Sequence, residues 1–274
     1  MRVKCPTYTN DEIISCIQSN MRYFSRVNNT ETFKLIEVLY NTYDYLGSIN
    51  DLDTLKPLNI SDEEKKIWIE LYTNHLSRRN KPASRYYYEI KSNAKNNICP
   101  LCQLEEVSEL DHYIPKSIFP EFSVYHKNLV PICHTCNSLK GTNNIVIFPH
   151  LYYEDIDGEE LLKVYKDSHD GKTIWKFYVE NSSSDLGIFY KNMFDYLSLG
   201  KKYEVKAVDE FCSLNNIILA SSKLPKESRK QFFNDMFERQ ISSFENEYGL
   251  NHWRTALYKA FHTNIDYFLN DIDF

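Results

Sequence analysis

Two short cysteine pairs, Cys99-Pro-Leu-Cys102 and Cys133-His-Thr-Cys136, constrain this 274-residue chain more than any other feature, with 30 residues between them. In a chain of this length with seven cysteines, chance supplies only about 0.2 pairs at that spacing. Each knuckle offers two thiolates to one side of a tetrahedral zinc, and four thiolates close the ion off from water, which makes the site structural. Redox use needs one pair, so two pairs flanking a compact segment argue against it. A site of this kind supplies roughly 10 to 16 kcal/mol of folding free energy. The segment between the knuckles can therefore be rigid without a large core of its own. The other cysteines, Cys5, Cys16 and Cys212, leave an odd total, and the opening MRVKCPTYTNDE has no export signal, so no disulfide framework is expected. With no run of 18 apolar residues either, the expectation is a cytoplasmic protein with no membrane span.

Around this unit the chain reads as α+β: a helical N-terminal region over 1–95, a zinc-bound unit over 96–150, and a mainly helical C-terminal region over 151–274 with one hairpin. ETFKLIEVLYNTYDYL (31–46) carries apolar residues at the spacing of one helix face. SDEEKKIWIELYTNHL (61–76) opens as a capping box, Ser61 accepting from the backbone and Glu64 reaching back. LLKVYKDSHDGKTIWKFYVEN (161–181) reads as two strands around an Asp170-Gly171 turn. A helix then runs from Pro225 to a stop at Gly249, with a core stripe of Phe232, Met236, Phe237, Ile241, Phe244 and Tyr248. The last helix, about 251–269, buries Trp253, Leu257, Phe261 and Phe268.

Net charge of −6 excludes an indiscriminate nucleic-acid binder, so any such contact must be local. The most basic window, 77–97, holds Arg78, Arg79, Lys81, Arg85, Lys91 and Lys95 against Glu89 alone. It reads either as a phosphate-contacting surface or as a solvated helix face. Between and just after the knuckles lie Asp111, His112, Asn128, Asn137 and Lys140. Aspartate and asparagine oxygens suit Mg²⁺ or Mn²⁺, and a neutral histidine beside such an ion can take a proton from water. Phosphodiester hydrolysis needs both. Asp111 and His112 are adjacent, so on a strand they point to opposite faces, and the backbone must bend or end before Pro115 for them to share a site. Glu109 shares the Asp111 face of that strand and is a candidate for the same ion. His134, within the second knuckle, is expected to be exposed, and His126 and His150 are unassigned.

The order Asp-His, then Asn, then Asn before Lys-Gly, with the knuckles outside, resembles the HNH nucleases of ββα-metal fold, over roughly 45 residues. The resemblance implies that His112 is the general base, Asp111 and Asn137 ligate a catalytic Mg²⁺ or Mn²⁺, and Asn128 ties the inter-strand loop so that His112 is oriented. Asn137 would stand where the family has its last histidine, and Lys140 would contact phosphate. More narrowly, SRYYYEIKSNAKNNICPLC, LDHYIPKSIFPEFSV, NLVPICHTCN, IFPHLYYE and NHWRTALYKAF look like the HNH subunits of Septu-type anti-phage systems, which also accompany some retrons. That implies an ABC- or SMC-like ATPase partner that holds the nuclease in check, with the helical flanks as partner-binding surfaces. The implied substrate is DNA; RNA, including tRNA, is the alternative, because an activated water does not need the 2′-hydroxyl. A non-catalytic zinc-ribbon adaptor would account for the four cysteines and the basic window, but has no use for Asp111, His112, Asn128 and Asn137.

Overall fold

The structure is a computed structural model that describes residues 3–7, 9, 11–13, 15, 21–141, 148–170 and 172–269. Cys16 and Gly171 lie outside the described residues. The chain divides into two compact units, residues 2–155 and 156–274. The helices of 1–95 and the cysteine-bearing segment thus belong to one unit. The architecture is α+β, with two small antiparallel sheets among helices.

In the first unit, short helices start where side chains cap them. Helices α1 (Met21–Asn28), α2 (Glu31–Lys34) and α3 (Ile36–Ser48) follow closely, and the Thr30 hydroxyl accepts from Phe33 N at 3.1 Å to start α2. Helix α4 (Asp62–Leu71) starts in the same way, with Ser61 Oγ accepting from Glu64 N at 3.2 Å. Only half of the expected capping box forms. Glu64 does not reach back to Ser61; its carboxylate accepts from Thr32 N at 2.9 Å and from the Thr32 hydroxyl. A carboxylate there meets the free N–H groups and positive end of α2, which the box would have left unanswered. Helix α4 runs into a π turn at Tyr72–Leu76, and α5 (Ser84–Ser92) follows.

Strands β1 (Glu109–His112) and β2 (Leu129–Ile132) pair antiparallel, with Asp111 opposite Val130 and His112 opposite Leu129. Helix α6 (His134–Lys140) follows directly, completing a ββα order. Two apolar clusters hold this unit to the helices before it. One joins Trp68, Leu71, Leu76 and Ile90 to Leu110 and Leu129; the other joins Tyr40 and Tyr43 of α3 to Ile114, Phe122 and Tyr125 of the inter-strand loop. The cysteine-bearing ββα unit therefore does not stand alone: the helical flank contributes to its core.

The second unit holds the hairpin β3 (Leu162–His169) and β4 (Lys172–Val179), then α7 (Asp185–Tyr196), α8 (Leu199–Ser221), α9 (Lys226–Tyr248), α10 (Trp253–Thr263) and α11 (Ile265–Leu269). Its core is aromatic: Trp175 stands edge-on to Phe261 at 4.8 Å, and Phe237 to Phe268 at 5.0 Å. The expected α9 stripe is off by one residue at its start. Phe233 is the buried ring and Phe232 is exposed, because the inward face runs through Arg229, Phe233 and Phe237 at helical spacing. Among the described residues, no helix is long and apolar enough to cross a membrane.

Candidate functional site

The first knuckle is shaped by left-handed backbone at Asn97 (φ 58°) and Gln103 (φ 59°), which folds the chain so that Cys99 N donates to Glu105 O at 2.7 Å. The second is shaped by a helix start. Cys133 is the N-cap of α6, extended at φ −82° and ψ 159°, and its sulfur accepts from Cys136 N at 3.4 Å. All four sulfurs are buried and lie within 4.8 Å of one another. Cys102 and Cys133 sulfurs stand 3.8 Å apart. Tetrahedral coordination at the usual Zn–S length of about 2.3 Å requires about that separation, whereas a disulfide requires about 2.05 Å. The four cysteines therefore fit zinc, and among the described residues they form the only cluster of three or more cysteine, histidine or carboxylate groups close enough to share a metal ion.

Beside this cluster opens a cleft of about 320 Å³ lined by Asp111, His112, Lys116, Ser117, Asn137 and Lys140, with Leu110, Pro115 and Gly141 completing its wall. Asp111 and His112 both line this cleft, at the C-terminal end of β1, where the chain leaves the strand after His112. The His112 ring is buried against Tyr72, edge-on at 4.4 Å. Its Nε2 lies 2.9 Å from the Ser123 carbonyl oxygen. A carbonyl only accepts, so Nε2 carries the hydrogen and Nδ1 carries the lone pair. Burial, reinforced by the positive charges of Lys116 and Lys140, pushes the His112 pKa down to about 3. The imidazole is thus neutral at physiological pH, with one basic nitrogen.

Asn128 is fully buried between β2 and the inter-strand loop. Its Oδ1 accepts from Ile114 N at 2.9 Å and from the Tyr43 hydroxyl at 3.1 Å, and its Nδ2 donates to Ile114 O and Phe122 O, each at 3.1 Å. All four hydrogen bonds that the amide can make are thereby used, three of them on the inter-strand loop and one on Tyr43 of α3. The clamp fixes both flanks of the loop, including the residue next to Ser123, whose carbonyl holds His112.

Lys140 does not project toward solvent as a phosphate contact would. Its ammonium pairs with Asp111 Oδ2 and donates to His112 O at 2.9 Å and Tyr113 O at 3.1 Å, using all three hydrogens. The reason is local. Burial pushes the Asp111 carboxyl up, and Lys140, at the end of α6, is the cation placed to oppose that rise. Asp111 and Asn137 both line the cleft, and the ion pair with Lys140 uses Asp111 Oδ2; oxygens of these residue types are the kind of donors Mg²⁺ or Mn²⁺ takes together with its own waters.

Other candidates fall outside the cleft. Glu109 does not join Asp111: its carboxylate lies 3.0 Å from Nδ1 of exposed His134. His126 is buried against Tyr125 with its pKa pushed down to about 4, chiefly by burial. His150 is buried too, its Nε2 3.2 Å from the Tyr43 hydroxyl, within the packing around Asn128. In the basic window, Arg78 and Arg79 are exposed, whereas Arg85 lies over the Tyr86 ring and donates to its hydroxyl at 2.7 Å. Sequence reasoning missed Lys116, Ser117, Tyr43 and Tyr72. Lys116 and Ser117 had one available signal, their place just past the Asp-His pair.

Comparison with known proteins finds two partial relatives. The chain is 30% identical to protein ea31 of Escherichia phage lambda over 146 residues, 50% of this chain and 49% of that protein. It is 35% identical to the Septu protein PtuB of Bacillus thuringiensis over 91 residues, 32% of this chain and 35% of that protein. The chain thus matches about half the length of the first relative and about a third of the second. No family model matches the chain, and no solved structure matches it.

Proposed function

We propose that the chain is an HNH-type endonuclease that hydrolyses phosphodiester bonds, with DNA as its substrate, acting as the effector of an anti-phage defence system. The observation that carries this reading is His112: a neutral imidazole with Nε2 tied to a carbonyl and its basic Nδ1 left over, on the wall of a cleft with Asp111 and Asn137. A histidine held in one tautomer can take a proton from an attacking water, a contribution of about 10²- to 10⁴-fold in rate. Asp111 and Asn137 would hold Mg²⁺ or Mn²⁺, which supplies charge stabilisation at the phosphate oxygens when bound. Asn128 keeps the loop, and through Ser123 the imidazole, in place. Lys140 holds Asp111 and the backbone after β1. The cysteine cluster, with zinc, fixes the start of α6 and hence Asn137.

Similarity to the Septu protein supports the defence role. The proposal adds a protein partner, an ABC- or SMC-like ATPase, in a Septu or retron setting. The exposed Arg78 and Arg79 supply a local basic surface on an acidic chain. The test is to titrate Mn²⁺ into zinc-loaded protein and to incubate the protein, alone and with its partner, with DNA and with tRNA. A second ion lost in Asp111→Asn, together with DNA cleavage, is expected. Cleavage of tRNA alone transfers the reading to RNA. Absence of any second ion, with nucleic acid left intact in both settings, leaves a zinc-ribbon adaptor.

A further inference from the structure

The cleft holds two lysines, and they are not equivalent. Lys140 has each of its three hydrogens on an acceptor, so it has none to offer a ligand without releasing Asp111 or one of the two carbonyls after it. Lys116 is held differently. It sits on a turn fixed by two hydrogen bonds into the Pro115 carbonyl, from Ile118 N at 3.0 Å and Phe119 N at 2.9 Å. Among the described residues its ammonium has no ion-pair partner; it rests over the Tyr72 ring at 5.1 Å. That is the ring against which His112 packs, so one aromatic side chain spaces the ammonium from the imidazole. Lys116 is half-buried, and its side chain and the exposed Ser117 line the cleft with His112 and Asp111.

A cation kept partly out of water, with the Asp111 carboxylate acting on it from beyond ion-pair distance, has donors to give to an anion that enters the cleft. Its contact with the Tyr72 face is a weak cation–π one and leaves its hydrogens available to a second partner. A phosphodiester is the anion that the neighbouring base implies, and a lysine serves it as a flexible point charge. We infer that Lys116 is the phosphate-holding side chain of this cleft, contacting a non-bridging oxygen of the phosphodiester presented to His112, while Lys140 is a positioning residue. The inference rests on the nuclease reading for the identity of the anion, and its test does not require turnover.

The test uses the full-length His112→Ala protein, zinc-loaded, with a fluorescent DNA duplex over a series of salt concentrations. Adding Lys116→Met is expected to weaken binding about 3- to 10-fold and to lower the slope of log affinity against log salt by about 0.9, the value for one lost phosphate contact. Lys116→Arg, which keeps the charge, is expected to retain most of the affinity. Zinc content and melting temperature verify that all variants fold. Equal affinity and slope with and without Lys116, or no binding by either protein, overturns the inference. Wild-type cleavage is scored separately. Turnover with an unaltered kcat/KM in Lys116→Met sinks this assignment and leaves the nuclease standing, whereas Lys116-dependent binding with no cleavage of DNA or tRNA, alone or with the partner, sinks the nuclease and leaves the phosphate site.

Discussion

Asn128→Ala removes the most heavily used side chain in the inter-strand loop. The substitution leaves Ile114 N, Ile114 O, Phe122 O and the Tyr43 hydroxyl each without its amide partner, in a place with no solvent access. A net hydrogen bond is worth about 1 kcal/mol and a stranded buried group costs about 1 to 3 kcal/mol. The Tyr43 hydroxyl keeps His150, and water can enter part of the void, so we expect a loss of about 3 to 4 kcal/mol. In a unit of this size that lowers the melting temperature by roughly 6 to 16 °C. Activity falls further than stability alone requires. Ser123, which holds the His112 ring, follows Phe122 in the clamped loop, so at a temperature where the variant is still folded single-turnover cleavage should drop by about 10²-fold. Tyr43→Phe is the control: it removes one of the two donors to Oδ1 and should cost about 1 kcal/mol with cleavage nearly intact. Calorimetry and single-turnover kinetics on the same preparations check this. An Asn128→Ala protein that melts within 2 °C or so of wild type and cleaves at the wild-type rate would refute the clamp.

Removal of zinc, by chelation or Cys136→Ser, should unfold the ββα segment, since about 10 kcal/mol or more rests on the metal; metal analysis should give one zinc per folded chain. The pKa of His112 lies below its unfolded value near 6.5, so the unfolded state binds the extra proton between about 3 and 6.5. Stability from this group is complete above about 6.5 and declines as pH falls toward 3, and His112→Gln should flatten the fall in melting temperature across that window. For the same reason cleavage should show no acidic limb near pH 6.5; a rate that halves there contradicts a buried neutral base. Replacing both Arg78 and Arg79 by alanine should weaken DNA binding and reduce its salt slope by up to about 1.8, read by the same fluorescence titration.

Much of the site could be read from spacing. Cysteine pairs, the Asp-His step and the two asparagines are local signatures, and the structure brings Asp111, His112 and Asn137 to one cleft and Asn128 beneath it. Hairpin β3–β4 and the helix between Pro225 and Gly249 were equally legible, because turn and capping residues mark their ends. What escaped were choices between partners of similar chemistry. Glu64 could have answered Ser61 or Thr32, Glu109 could have faced Asp111 or His134, and Lys140 could have faced solvent or Asp111. Each was decided by a residue at least 25 positions away in sequence, which periodicity does not reach. The same holds for Tyr43, 85 residues from the Asn128 it bonds, which looked like one more aromatic on a helix face.

The central claim is that His112 activates the attacking water. The most direct measurement is single-turnover cleavage of DNA by wild type and His112→Ala, each zinc-loaded, supplied with Mg²⁺ and the proposed ATPase partner, and matched in melting temperature. The account predicts a loss of about 10²- to 10⁴-fold in the variant with DNA binding retained. Cleavage at the wild-type rate by His112→Ala would contradict it.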